Sequence, residues 1–474
     1  MIIQYCKCWF PAVLGCLLVA CAHAPVPDLT RLYETGLLPR EAGSDAMQPP
    51  VILVHGIFGA RLRNRKTGTE VWPGNLGTLL FHDYQEVALP IDAETLNPAP
   101  SDLEAYAITD RAAGRDFYGA IIQTLTDAGG YLPGTAGEAV TDGHRRYYVF
   151  FYDWRQDNVQ TARKLDDLIE QIRRDYGNPE LRVDIVAHSM GGLATRYFLR
   201  YGRVDVLDNN EFPVNNYGMS RVRKVILLGT PNLGSVSTIQ EFLQGFKVGF
   251  RRVPTEVMAT LPSTYQLFPH PIRSWLIMSD GRELERDLFD IDIWRAFEWS
   301  IFDPAVRQRI RTRFPDPAEG DAYLAMLERY FEKHIERARR FVWSLTVPVP
   351  DSPVRYIVFG GDCELTPARV LIEEVDGESV LRLYPDKVTN RVAGMDYEKL
   401  MLEPGDGRVS KPSLFARDSL DPSVPRHEYS FFPLDHSILL CEAHDSLTGN
   451  ISFQNNLLNI LLMRDRPLAE KSMR

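Results

Sequence analysis

The sequence has little of what marks several classes of protein. Basic residues are not in excess, because 53 Lys and Arg stand against 63 Asp and Glu, and the formal net charge is −10. This balance offers no electrostatic footprint to a phosphate backbone, so we expect no nucleic-acid partner. The chain carries no internal repeat and no low-complexity tract, which excludes a solenoid. The acidic pairs in "LDD" and "IEE" lack the spacing of metal ligands, so we expect no metal and no cofactor.

Long apolar runs are also missing. The run from Trp9 to Ala20, preceded by Lys7, is too short to span a bilayer and predicts an export signal over residues 1–20. It closes as Leu18-Val19-Ala20-Cys21, which resembles the bacterial lipoprotein signal and predicts acylation of Cys21 as the new N-terminus. A plain secretory signal, or processing at Cys16 after Gly15, remains open.

Residues 21–50 follow this signal and predict a tether. The stretch Ala22 to Pro50 contains five prolines and little apolar periodicity, as in a linker between an anchor and a folded domain. We therefore expect a membrane-attached lipoprotein of the cell envelope, on the periplasmic side of a bacterial membrane.

Cysteine is scarce, with six in the chain. Removal of the signal would leave Cys363 and Cys441 in the folded part. In an oxidising compartment these two could pair, but spacing alone leaves open a disulfide or two buried thiols.

What the sequence does contain is an alternation of strand and helix patterns. Apolar runs such as "VILV" and "RKVILL" predict buried strands, and the stretch after Asn158 repeats apolar residues on one helical face. Such alternation predicts an α/β fold with a mostly parallel central sheet and helices on both faces. A hairpin turned by Asp376-Gly377, a strand near Phe431 and a closing helix complete the pattern.

The alternation stops over residues 235–350, where aromatic and arginine-rich helical patterns dominate. We interpret this stretch as an inserted helical cap or lid on a core of residues 51–234 and 351–474. Within it, Phe242, Phe246 and Phe250 are spaced four apart, which predicts a helical stripe that is either core or a lid opening on lipid.

Ala187-His188-Ser189-Met190-Gly191 has a small residue two positions before and two after its serine. A strand precedes it and Gly191-Gly192 begins a helix, so the pattern predicts a sharp turn that exposes Ser189 as a nucleophile. A serine nucleophile needs a histidine base and a carboxylate to orient it, in the order Ser, Asp, His for this fold. Asp406 in a glycine-flanked turn and His444 before the last helix are favoured, while Asp362 and His436 are rivals.

Together these stretches resemble the family of lecithin:cholesterol acyltransferase and lysosomal phospholipase A2. The resemblance is carried by "VILVHGIFG", "FYDWR", "IVAHSMGG", "LLGTPNLGS", "GDGRV" and "HDSLTGN". It implies the α/β-hydrolase fold, with Ser189 as nucleophile, Asp406 as acid and His444 as base. It implies oxyanion donors at the backbone N–H groups of Ile57 and Met190. It also implies that "FYDWR" lies near the site, whereas the residues of this stretch by themselves predict only an ion pair of Asp153 and Arg155 on the surface.

These patterns favour a serine-dependent lipid acyl hydrolase or acyltransferase that works through an acyl-enzyme on Ser189. Its partners would be a lipid ester or phospholipid and, through the anchor, a membrane surface. Two alternatives are an esterase acting on non-lipid esters and a hydrolase-fold binding protein that has lost catalysis.

Overall fold

The computed structural model describes residues 48–74, 83–112, 115–349, 352–420 and 432–462, with isolated positions 27, 77, 423, 425, 427, 428 and 430. The predicted export signal at 1–20, the acylation site at Cys21, its rival Cys16 and nearly all of the 21–50 tether lie outside the described residues. Within the described part, every helix is too short or too polar to cross a bilayer.

A seven-stranded sheet forms the centre of the fold, and all of its neighbouring strands run parallel. Its strands are β1 Val51–Val54, β2 Leu132–Pro133, β3 Arg146–Phe150, β4 Val183–His188, β5 Val222–Leu228, β6 Arg355–Gly361 and β7 Leu434–Leu440. Their order across the sheet is β7-β6-β5-β4-β1-β3-β2. This is the sheet of an α/β-hydrolase fold, as predicted.

The sheet is buried on both faces because its strands send alternate side chains into two separate apolar cores. In β1, Ile52 and Val54 join one core, while Val51 and Leu53 join the other. A strand that packs on both sides must be apolar throughout, which is why "VILV" has no polar residue.

The helices supply the other walls of these cores. They are α1 Gly119–Gln123, α2 Asn158–Asp175, α3 Met190–Tyr201, α4 Val236–Gln244, α5 Thr255–Met258, α6 Pro262–Tyr265, α7 Ile291–Ala296, α8 Pro304–Arg311, α9 Pro317–Ser344, α10 Tyr397–Met401, α11 Lys411–Leu414 and α12 Ile451–Leu462. Helices α2 and α3 contribute to the first core and α1 and α12 to the second. The predicted helices on both faces of the sheet are therefore present.

Helix α2 shows how the sequence specifies these elements. Asp157 caps it, because its side chain accepts a hydrogen bond from the Val159 N–H. The predicted apolar face is buried at Val159, Leu165 and Ile169 among others, and charged residues such as Lys164 and Asp167 are exposed.

Smaller sheets and short helical turns lie outside the central sheet. Their strands are Ala60–Asn64, Glu70–Trp72 and Leu103–Ile108; Arg111–Ala112 and Arg115–Asp116; Phe246–Val248 and Arg251–Val253; Leu276–Met278, Val370–Val375 and Glu378–Arg382; Glu364–Pro367 and Leu402–Gly405. Short 3₁₀ helices cover Gln85–Val87, Tyr217–Ser220, Ser300–Phe302, Pro385–Lys387 and His444–Gly449, and a π-helical turn covers Thr124–Ala128.

The predicted hairpin at Asp376-Gly377 is confirmed. Val370–Val375 pairs antiparallel with Glu378–Arg382, and the two turn residues have φ of 55° and 85°. Two successive positive φ angles match the right-handed twist of the strands, which is the reason Asp-Gly favours such turns.

Two predictions on local structure are wrong. The last described strand covers Leu434–Leu440, after the predicted stretch, in which Phe431 lies outside the described residues and Phe432 and Pro433 are not part of a strand. The position of this strand at the sheet edge leaves most of its side chains exposed and hides the usual apolar signal. The three phenylalanines do not share a helix, since α4 ends at Gln244, and Phe246 and Phe250 belong to a hairpin.

Residues 235–349 hold α4 to α9 and this hairpin, in the stretch predicted as a cap. The longest of these helices, α9, is joined to α3 by hydrogen bonds across their buried faces. Tyr201 donates to the Ser344 carbonyl at 2.7 Å, and Arg196 donates to the Leu345 carbonyl at 2.6 Å. The inserted helices are therefore fixed to the face of the sheet that also carries α2 and α3.

Cys363 and Cys441 form a disulfide with 5.0 Å between their Cα atoms, which resolves the question that spacing left open. It links the residues just after β6 to the end of β7, and thereby ties two neighbouring strand ends across 78 residues of chain.

We expect the double substitution Cys363→Ser and Cys441→Ser to lower the free energy of unfolding by about 2–4 kcal/mol, because the closed loop restricts the unfolded chain. Denaturant unfolding of the oxidised parent and of the variant measures the difference. Adding a reductant should destabilise the parent and leave the variant unchanged; equal effects of the reductant on both would contradict the role of this bond.

Candidate active site

The site lies where the carboxyl ends of the central strands meet. Ser189 follows β4, the His55-Gly56 turn follows β1, Gly229 follows β5, and Gly361 is the last residue of β6. In parallel sheets this edge is where loops bring polar side chains together.

Ser189 occupies the predicted sharp turn between β4 and α3. Its φ of 52° and ψ of −126° lie in a region that side chains rarely adopt, and such strain persists only where the surroundings enforce it. The Ser189 N–H donates to the Leu228 carbonyl of β5 at 2.8 Å, and its own carbonyl accepts from the Gly192 N–H at 3.0 Å. These bonds hold the strained backbone on both sides of the serine.

Small residues next to Ser189 are a steric requirement. A Cβ added at Gly191 would lie 2.3 Å from the His55 carbonyl oxygen, and one at Gly192 would lie 2.1 Å from Thr230 Oγ1. Gly191 is therefore needed for α3 to begin against the turn after β1, and Gly192 for it to begin against the loop after β5. Ala187 is fully buried in β4, so a methyl group is accommodated at the other small position.

The three side chains predicted to act together are hydrogen-bonded in a row. His444 Nδ1 lies 2.8 Å from Asp406 Oδ2, and His444 Nε2 lies 3.0 Å from Ser189 Oγ. An ionised carboxylate only accepts, so the Nδ1–H donates to Asp406, and Nε2 accepts from the Ser189 hydroxyl. All three residues are buried, between 2% and 7% exposed.

Asp406 is held rigidly by its own loop. Its Oδ1 accepts from the backbone N–H groups of Arg408 at 3.0 Å and Val409 at 2.7 Å. Its carbonyl accepts from the His444 N–H at 2.8 Å, which joins the two loops directly. Gly361 allows the approach, because a Cβ there would lie 2.7 Å from the Asp406 Cβ.

Asp406 and His444 each shift the pKa of the other towards the charged form. Burial opposes the charge on Asp406, but the neighbouring His444 and the backbone N–H donors outweigh it and lower the pKa of this carboxyl. Burial likewise disfavours protonated His444, and the Asp406 charge outweighs it and raises the pKa of the imidazole. The arrangement suits a base whose protonated form is stabilised next to a carboxylate.

The rival residues lie elsewhere. Asp362 pairs with Lys411 Nζ at 3.3 Å, and His436 lies on the exposed part of β7. The structure therefore brings Asp406 and His444, and neither rival, to Ser189.

The two predicted oxyanion donors flank the serine. Met190 begins α3, so its N–H belongs to the first helical turn, which has no acceptor within the helix. Ile57 follows Gly56, where an added Cβ would lie 3.3 Å from Ser189 Oγ. Neither N–H donates to another group among the residues that the structure describes.

Tyr118 is a site residue that the sequence analysis missed. The Gly56 N–H donates to its hydroxyl oxygen at 2.9 Å, and the hydroxyl lies 2.8 Å from His188 Nδ1. Burial lowers the pKa of His188 to about 3, so the imidazole is neutral. Because the Tyr118 oxygen already accepts from the Gly56 N–H, its O–H donates to an unprotonated Nδ1. The hydroxyl thus links the turn after β1 to the end of β4. One tyrosine among 20 carries no sequence signal for this role.

His55 and the "FYDWR" stretch support the same turn from the other side. The Tyr152 N–H donates to His55 Nε2 at 3.2 Å, and the two rings stack with centroids 4.1 Å apart. Burial lowers the pKa of His55 to about 4, so it is a neutral structural residue. The predicted ion pair of Asp153 and Arg155 is present at 2.8 Å, but its predicted surface location is wrong, because Arg155 is fully buried. Three further oxygens, two of the backbone and one hydroxyl, accept from its guanidinium.

Within the described residues, no cluster of three or more His, Cys, Asp and Glu side chains has the geometry of a metal site. The arrangement around Ser189 can instead transfer a proton from a hydroxyl to an imidazole.

Part of the chain matches a known family. Residues 143–287 match the model described as lecithin:cholesterol acyltransferase. The resemblance to this family is confirmed over that segment. It contains β3, β4 and β5, with Ser189 between them, whereas Asp406 and His444 lie beyond it and are connected to Ser189 by the geometry above.

Several solved structures are similar to this chain at low identity. The structure described as the Tle4–Tli4 complex is similar at 15% identity, with a TM-score of 0.52, covering 88% of this chain and 99% of that one. The lipase BlEst2 of Bacillus licheniformis in its mature form aligns at 11% identity, with a TM-score of 0.34, over 90% and 96% of the two chains. Lipase 1 of Pelosinus fermentans aligns at 14% identity, with a TM-score of 0.35, over 89% and 100%.

We expect Tyr118→Phe to lower the free energy of unfolding by about 1–3 kcal/mol, because the Gly56 N–H and His188 Nδ1 lose their buried partner together. Denaturant unfolding provides the measurement. Tyr147→Phe is the matched control, since its hydroxyl makes no hydrogen bond to the described residues. Equal losses in the two variants would show that the Tyr118 hydroxyl bonds contribute nothing.

Proposed function

We propose that this protein is a serine-dependent hydrolase or acyltransferase of lipid esters, with Ser189 as nucleophile, His444 as general base and Asp406 as the acid that orients the imidazole. The observation that carries the proposal is the row of hydrogen bonds from Asp406 through His444 to a strained, buried Ser189. Strained backbone at an activated hydroxyl costs stability and is retained at functional sites.

In the first half-reaction the Ser189 oxygen attacks the ester carbonyl carbon while its proton moves to His444 Nε2. The Oγ–C bond forms and the carbonyl oxygen becomes an oxyanion. As the tetrahedral intermediate collapses, the bond to the leaving alkoxide breaks and the His444 proton passes to that oxygen. The products are an alcohol and an acyl-enzyme on Ser189.

The second half-reaction repeats these steps with a new nucleophile. Water or an alcohol gives its proton to His444 Nε2 and attacks the acyl carbon. As this second tetrahedral intermediate collapses, the bond from the acyl carbon to Ser189 Oγ breaks and the proton passes from Nε2 to Oγ, which restores Ser189 and releases a fatty acid or a new ester. The N–H groups of Ile57 and Met190 would stabilise both oxyanions, and one such donor is worth about 10²–10³ in rate.

The family match supports a lipid ester as substrate, because the model over residues 143–287 is that of lecithin:cholesterol acyltransferase. The predicted acyl anchor at Cys21 and the cell-envelope location belong to the same proposal, since an anchor would hold the enzyme at a membrane that contains its substrate.

We expect Ser189→Ala and His444→Gln each to lower turnover by about 10⁴-fold or more, because the hydroxyl and the imidazole act as one unit. Fatty-acid release from a long-chain phosphatidylcholine, with and without an added alcohol, measures the activity and identifies the acceptor. His436→Gln is the matched control and should retain full turnover.

Three outcomes would contradict the proposal in distinct ways. Full activity of Ser189→Ala would remove the nucleophile. Turnover of short soluble esters without turnover of the phospholipid would favour an esterase of non-lipid esters. Absence of turnover on every ester by the folded parent would favour a binding protein.

The pH dependence follows from the coupled pair. His444 must be unprotonated to accept the serine proton, and its pKa is raised above the ordinary 6.5 by Asp406. We therefore expect kcat/KM to be low at acidic pH, where the imidazole is protonated, and to rise with pH through a midpoint above 6.5. The residual activity of Asp406→Asn should show this midpoint at lower pH, whereas Asp362→Asn should leave it in place. An unshifted midpoint in Asp406→Asn would contradict the assignment of the acid.

A further inference from the structure

A hairpin beside the site has an unusual charge for this chain. The basic hairpin, residues 245–254, contains Lys247, Arg251 and Arg252 and no acidic residue, although acidic residues outnumber basic ones in the whole sequence by 63 to 53. All three cations are exposed. This segment is therefore a local positive patch on a negatively charged protein.

The tip of the basic hairpin exposes a large aromatic side chain. Phe250 is 85% exposed, the highest value among the large apolar residues that the structure describes. Gly249 precedes it with a φ of 56°, so the chain turns sharply at this point and presents the ring outward. Transfer of such an exposed apolar ring from water into an apolar phase is favourable.

The base of the basic hairpin is packed against the site. The Phe246 ring stacks on Phe58 with centroids 4.1 Å apart, and Phe58 follows the predicted oxyanion donor Ile57. The Arg408 guanidinium lies over the Phe246 ring, 5.2 Å from its centroid. Because the Arg408 N–H donates to Asp406 Oδ1, the hairpin contacts both loops that frame Ser189.

The hairpin also has a fixed direction. Arg252 Nη1 donates to the Gly245 carbonyl at 2.8 Å, and a Cβ added at Gly245 would lie 2.6 Å from the Val253 carbonyl oxygen. The two strands are closed tightly at their base, so the tip projects from the rim of the site.

We propose that the basic hairpin docks this protein on an anionic lipid surface, with Phe250 among the acyl chains and Lys247 and Arg251 at the headgroups. An occupant with an apolar interior and a negative surface satisfies the ring and the cations together, and a bilayer containing acidic lipids has both. A protein partner would need a broader apolar face than one ring supplies. The proposal rests on the proposed function, since docking here would bring lipid esters to Ser189.

The test locates the contact on the molecule and needs no catalysis. In the full chain carrying Ser189→Ala, a tryptophan is introduced by Phe250→Trp or, as the matched control, by Val204→Trp. Val204 is 51% exposed and follows the end of α3 that points away from Ser189. Both proteins are mixed with vesicles of phosphatidylcholine brominated in its acyl chains, with or without phosphatidylglycerol, and the fluorescence quenching beyond that of the parent is measured.

We expect strong quenching of the Phe250→Trp protein on vesicles with phosphatidylglycerol, weak quenching without it, and none above the parent for Val204→Trp. Because quenching reports the position of the ring, an acyl anchor elsewhere on the chain would not produce this difference. Equal quenching at the two positions, or none at Phe250→Trp, would overturn the proposal.

A second pair of variants tests the charges. Lys247→Gln should weaken partitioning into the anionic vesicles about fivefold, the contribution of one cation near such a surface, whereas the exposed Lys164→Gln on α2 should change it little. Equal effects would overturn the role of the hairpin charges. An inactive parent that still shows Phe250→Trp quenching would remove the proposed function and leave the docking surface standing.

Discussion

The hydrogen bond between His444 and the Asp406 carboxylate is the interaction on which the site depends. It requires two loops that are far apart in the chain to meet at one edge of the sheet, and three constraints bring them there. Gly361 allows Asp406 to approach the end of β6, the Asp406 carbonyl accepts from the His444 N–H, and the Cys363–Cys441 disulfide ties the strand ends beside them. The imidazole is thereby oriented before any substrate arrives, which is the condition for efficient proton transfer.

A second constraint acts on the serine. The close approach of α3 to the turn after β1 leaves no room for a Cβ at Gly191, and the same approach forces Ser189 into positive φ. Tyr118 then joins this turn to His188 through one hydroxyl. The proposed nucleophile and the proposed oxyanion donors are thus parts of one rigid unit, in which two buried histidines are kept neutral and serve as structural hydrogen-bond partners.

Local chemistry explains what could be predicted from the sequence. Three features depend on neighbours close in the chain, and their patterns can be recognised in the sequence. They are the small residues around Ser189, the apolar face of α2 and the Asp376-Gly377 turn. Tertiary contacts decide the rest. Arg155 is buried where oxygens from two distant segments, at Val87 and at Ser101 to Leu103, accept from its guanidinium. The strand β7 lies at the sheet edge, where its exposure hides its pattern. Phe250 is exposed at the tip of a hairpin that follows the end of α4 at Gln244. No residue spacing reports such contacts, so the choice between Asp406 and Asp362 needed the structure.

The most direct test of the site is covalent trapping. The folded protein is treated with a long-chain phosphonate that reacts only with activated serine hydroxyls, and the labelled peptide is identified by mass spectrometry. We expect one adduct, on Ser189, formed rapidly in the parent and slowly or not at all in His444→Gln. Labelling at another residue, or labelling of Ser189 at the same rate in both proteins, would contradict a serine activated by His444.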